Sequence, residues 1–94
     1  MKKIYVLTLD KSVLCISHSL EVIEEYLRID YEALKPIYDL NMFKYVFDEE
    51  FSGFLNYDIH IYSKESCMFT PIEGYKLQVG FLDIVDPEKM RPLF

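Results

Sequence analysis

Four side chains in this sequence are of the kinds that hold soft metals or act as nucleophiles: Cys15, His18, His60 and Cys67. Their spacings, Cys-x2-His and His-x6-Cys, do not reproduce the paired knuckles of structural zinc sites. Cys15 stands in an apolar run, where a free thiol packs as a small hydrophobe. Cys67 follows Glu65 closely, and a neighbouring carboxylate disfavours the thiolate that a nucleophile requires. Ser17-His18-Ser19 sets hydroxyls beside an imidazole only along the chain, and Ser19 is better placed as a helix cap. The glycines Gly53, Gly74 and Gly80 lie too far apart to form a phosphate-cradling loop. These patterns assign no catalytic residue, no metal ligand and no cofactor, and they predict a protein that is not an enzyme.

The densest carboxylates are Glu24-Glu25 and Asp48-Glu49-Glu50. They lack the spacing of a calcium-binding loop. They read either as solvated surface or as a contact surface for a basic partner. On the second reading the partner-binding residues are Glu21, Glu24, Glu25, Asp48, Glu49, Glu50, Phe51 and Phe54, which set acids beside aromatic rings. Eight Tyr and seven Phe with no Trp make a heavy aromatic load for 94 residues. Rings fill a small core efficiently, and they also concentrate at the centres of interfaces. A net charge of −6 opposes direct binding to nucleic acid, which rests on clustered Lys and Arg, and favours a basic protein surface.

The elements that must position these groups begin at Lys3. Residues 3–9 and 12–17 alternate β-branched and aromatic types, as two short strands do, with a turn at Asp10-Lys11. A two-residue loop pairs Leu9 with Ser12, Leu7 with Leu14 and Tyr5 with Ile16. A one-residue slip stays open, because Asp-Lys lacks the glycine that favours tight turns. Leu20, Ile23 and Leu27 follow helical spacing, which places Glu21, Glu24, Glu25 and Arg28 outward. A second helical piece or a continuation runs to Lys35, and Pro36 ends it. Residues 37–41 read as a connector and 42–47 as a strand. Asp48-Glu49-Glu50 and then 51–56 read as a loop or short helical turn. Residues 57–63 form a strand, 64–74 a long connection, and 75–85 a last strand with a bulge or bend at Gly80.

The order β-β-α-(α)-β-β-β gives an α+β fold: one domain over residues 1–94, mostly antiparallel, with the helix on one sheet face. No run is long enough to span a membrane. Met1-Lys2-Lys3 leads straight into strand residues rather than a leader pattern, so the sequence predicts a cytoplasmic protein with reduced cysteines.

The opening Met1 to Leu7, the immediate second strand and the helix Leu20 to Arg28 together resemble the small accessory proteins of bacteriophages and mobile elements. The resemblance covers the first third of the chain and implies no catalytic residue. It implies a module that binds another protein, including inhibitors of host defence or nucleic-acid-processing proteins. Two other readings stand beside it, a homodimeric structural or assembly protein and a small-ligand binder with an aromatic pocket. The opening strands are apolar on both faces, and the helix covers only one. The second face must be covered by residues 40–56 or by a second copy, and the sequence predicts a homodimer.

Overall fold

The computed structural model describes residues 3–81, which build an antiparallel sheet of five strands with one α-helix packed against it. The strands are β1 (Lys3–Leu9), β2 (Ser12–Ser17), β3 (Tyr38–Phe51), β4 (Phe54–Ser63) and β5 (Met68–Phe81), and the helix is α1 (Leu20–Asp30). Their order across the sheet is β2-β1-β5-β4-β3, so the first of the described strands pairs with the last. Residues 82–85, expected in the last strand, lie outside the described residues.

The β1–β2 turn is tight. Asp10 and Lys11 both adopt positive φ, at 50° and 71°, the geometry that matches the twist of flanking strands. Asp10 N–H donates to the Gly74 carbonyl at 2.9 Å, which locks the turn onto β5. Gly74 has φ +83°, and a Cβ there would lie 2.8 Å from Asp10 Oδ1, so this position requires glycine. Leu9 faces Ser12 as expected, but the register slips between Leu7 and Thr8. Leu7 therefore faces Cys15 and Tyr5 faces Ser17. The slip leaves Ile16 exposed, and both Leu14 and Cys15 pack against the core.

Helix α1 buries Ile23 and Leu27 against Leu7, Ile59, Ile61, Tyr75, Leu77 and Val79. Ser19 sits in the extended cap conformation without a capping side-chain bond; its own N–H donates to Ser17 Oγ at 3.0 Å. Glu21 in the first turn and Arg28 in the last complement the helix dipole. Two tyrosines rising from the sheet fasten the helix by its carboxylates. Tyr45 Oη donates to Glu24 Oε2 at 2.6 Å, and Tyr75 Oη donates to Asp30. A 3-10 turn at Glu32–Leu34 then leads through Pro36 into β3.

Five expectations are corrected. Residues 48–51 are strand, not loop: β3 runs to Phe51 and turns at Ser52-Gly53, both at positive φ. The connector at 37–41 is mostly β3, which begins at Tyr38. The connection at 64–74 is a short turn, because β5 starts at Met68. Pro71 is tolerated because β5 pairs only with β4 there; its pairing with β1 spans Tyr75 to Phe81. Gly80 makes no bulge, since Ile4 faces Gly80 in continuous register. It makes room for a ring instead: a Cβ would lie 2.6 Å from a Phe54 ring carbon. Residues 40–56 do not form a second layer, because β3 extends the same sheet at its edge.

Leu27 is fully buried and Ile29 is 70% exposed on the same helix. Leu27→Ala should cost about 2–5 kcal/mol in urea unfolding, and Ile29→Ala should stay within about 0.5 kcal/mol of wild type. Burial first, and the bond to Glu24 next, hold the Tyr45 hydroxyl well above the usual phenol range. A proton held more tightly in the folded state stabilises the fold fully below about pH 10, and that contribution fades as pH climbs beyond it. Tyr45→Phe should therefore cost about 1–3 kcal/mol at pH 7 and lose less stability than wild type between about pH 10 and 12.

Candidate functional site

The sheet has two unlike faces. The face under α1 carries the apolar core, and the other carries most of the sheet's polar side chains. Register builds this open face row by row. Lys76 of β5 lies between Thr8 of β1 and Asp58 of β4, and Gln78 lies between Val6 and Asn56. The β3–β4 register shifts between Phe47 and Glu49, so that both Asp48 and Glu49 join the open face. Among the described residues, no element lies over it.

Lys76 holds this surface together. Its Nζ donates to Asp48 Oδ2 at 2.9 Å and to Asp58 Oδ1, tying β5 to β4 and to the outer strand β3. The bond to Asp58 first, then that to Asp48, raises the ammonium above its ordinary range. The group is a fixed cation at neutral pH, not a base. Next to it Gln78 Nε2 donates to Asn56 Oδ1 at 2.9 Å, and Asn56 Nδ2 donates to the Phe54 carbonyl at 3.3 Å. Asn56 is only 8% exposed, and these bonds satisfy it.

A groove of about 670 Å³ runs over these groups. Thr8, Asn56, Lys76 and Gln78 form its floor. One rim is the β1–β2 turn with Asp10 and Lys11, and the other is the end of β3 with Asp48, Glu49 and Phe51. The floor offers amides and one neutralised cation, and the β3 rim offers carboxylates beside a ring. That is chemistry for holding a polar surface.

The residues expected to bind a partner divide into two groups. Asp48, Glu49 and Phe51 converge on the β3 rim, and Phe51 is 68% exposed. Glu50 pairs with Leu55 and belongs to the opposite side of the strand. Phe54 packs over Gly80 and is half-buried. Glu21, Glu24 and Glu25 ride on α1, on the far side of the sheet, where Glu25 pairs with Arg28 at 3.1 Å and Glu24 accepts from Tyr45. The two acidic sets do not form one site. Lys76, Asn56 and Gln78 were missed, although polar residues at every second position of two otherwise apolar strands were the signal.

The four soft ligand types are scattered. Cys15 packs at the core and Cys67 is exposed in the turn before β5. His18 Nδ1 lies 3.2 Å from the Lys3 carbonyl, and His60 belongs to the open face. Among the described residues, no three His, Cys, Asp or Glu side chains gather as a metal set. No helix among them is long and apolar enough to cross a membrane.

No protein-family model matches this chain, and neither a curated protein nor a solved structure does.

The Lys76 network is partly solvated, with side chains about two-fifths exposed. Lys76→Gln should therefore cost no more than about 1 kcal/mol in low-salt urea unfolding, and the difference should shrink in about 1 M salt.

Proposed function

We propose that this protein is a non-enzymatic module that binds another protein through the open sheet face and its β3 rim. The observation that carries the reading is the placement of Phe51, largely exposed, beside Asp48 and Glu49 along a groove with no described element over it. A ring that stands out of a polar rim is an anchor for a pocket, and aromatic anchors dominate binding energy where water is excluded around them. The carboxylates beside it favour a basic partner surface and speed the encounter, as does the net charge of −6. A basic groove of the kind that nucleic-acid-processing enzymes present to phosphates fits this chemistry. Occupying such a groove would make the protein an inhibitor.

The reading assigns the contact to the rim and not to the helix acids. Glu24 is half-buried and bonded to Tyr45, and Glu25 is paired with Arg28, so both already serve the fold. Tagged protein incubated with extract of its native cells should retain one basic partner in stoichiometric amount. Phe51→Ala and Glu49→Lys should each weaken that complex at least tenfold, and Glu21→Lys should leave it intact. Retention that survives both rim changes but fails with Glu21→Lys would move the site to the helix and contradict the proposal.

A further inference from the structure

The outer edge of β3 is the longest unpaired strand edge among the described residues. Strand β3 has 14 residues and β4 on its inner side only, whereas the opposite edge strand β2 has six. An open edge presents unpaired N–H and C=O groups that template another strand, and proteins usually blunt it with proline, bulges or charge. Residues 43–47 of β3 pair with β4 without interruption, and Met42 to Phe47 contains no proline. Met42, Val46 and Phe47 are exposed there, Phe47 by 55%. Lys44 is the one charge in that run.

We infer that this edge pairs with the same edge of a second copy, antiparallel about a twofold axis at Val46, to make one continuous sheet of both chains. Such an axis stands perpendicular to the sheet, so from Lys44 to Asp48, up to the irregularity before Glu49, each residue meets a partner that points to the same face. With the axis at Val46, Tyr45 meets Phe47 on the helix-covered face. Lys44 meets Asp48 on the open face, with Glu49 beside it, and Val46 meets its own copy. Each of the asymmetric pairs occurs twice. Moving the axis to Tyr45 sets Lys44 against Val46. Moving it to Phe47 sets Val46 against the carboxylate of Asp48. Of these three registers, only that at Val46 sets Lys44 against an acid of its own face and a ring against a ring; the axis at Phe47 would bring it to Glu50, which belongs to the other face.

This self-complementarity names the occupant. Within one chain the Lys44 ammonium lies 5.8 Å from the centre of the Phe69 ring and has no carboxylate partner among the described residues. A generic strand would supply none, whereas the same strand reversed supplies both the charge and the ring. Pairing also satisfies the edge's free backbone groups and withdraws Val46 and Phe47 from water. Both helices then lie on one side of the joined sheet and both open faces on the other, which doubles the surface described above.

The test is a charge exchange read by light scattering and sedimentation. Wild type at low ionic strength should show a species of twice the 11.2 kDa chain mass at micromolar concentration. K44E sets two pairs of like charges across the axis, as does D48K, and each alone should weaken the dimer at least tenfold. An equimolar mixture of the two variants should recover a heterodimer near the wild-type affinity, because both cross-axis pairs then join opposite charges again. Should D48K fail to fold, as judged by circular dichroism, K44E alone decides. Its defect must be at least tenfold in low salt and diminish in high salt. A wild type that stays at 11.2 kDa, a dimer indifferent to K44E, or a mixture no tighter than its folded components overturns the inference.

Discussion

One short helix has to cover one face of a five-stranded sheet, and the rest of the structure follows from that shortage. The chain leaves the sheet at β2, on one edge, and re-enters at β3, on the other, with α1 between them. Eleven helical residues make a rod about 16 Å long and about 10–12 Å across. Five strands make a sheet about 19 Å wide, and a strand of 14 residues is about 46 Å long. The helix therefore seals a patch and not a face. Ile23 and Leu27 fill that patch against the strands, and the tyrosines from β3 and β5 hold the helix by Glu24 and Asp30. Beyond the patch, strand ends run out into solvent, and the described residues extend over 53 × 24 × 24 Å.

What the helix leaves open is organised by strand register. The central strands present Thr8, Lys76, Gln78, Asn56 and Asp58 to one side because the same strands present Leu7, Leu77 and Ile59 to the other. Period-two alternation thus makes the core and the polar groove a single consequence of the sequence. The β3 irregularity adds Asp48 to the groove, where it reaches the ammonium that Asp58 already holds. Acid and ring share one rim there, whereas Glu24 and Glu25 of the helix are already paired with Tyr45 and Arg28.

Much of the fold was legible in residues 3–36, where alternation and helical spacing are strong and Pro36 marks an end. The β1–β2 register was less so, because Val13, Leu14, Cys15 and Ile16 are all apolar and only packing distinguishes a slip of one. The second half misled where composition and context disagree. Asp48-Glu49-Glu50 has poor strand propensity, yet β4 pairs with it and extends it as an edge. Ser52-Gly53 was the turn signal that should have placed a hairpin there. Pro71 looked like a breaker and is an edge residue of β5. Of the candidate site, the acid-and-ring end of β3 was legible from composition, but the division of the acids between two faces depends on which strands become neighbours.

Amide hydrogen exchange reports how far the helix's protection reaches. Exchange should be slowest in β1, in 75–79 of β5 and in the helix turn around Leu27. It should be far faster in β2 and in 49–54, the end of the β3–β4 hairpin. Protection in β2 and at that hairpin end equal to that of β1 and β5 would mean that something seals the sheet beyond the patch under α1, and that the short helix is not what limits the fold.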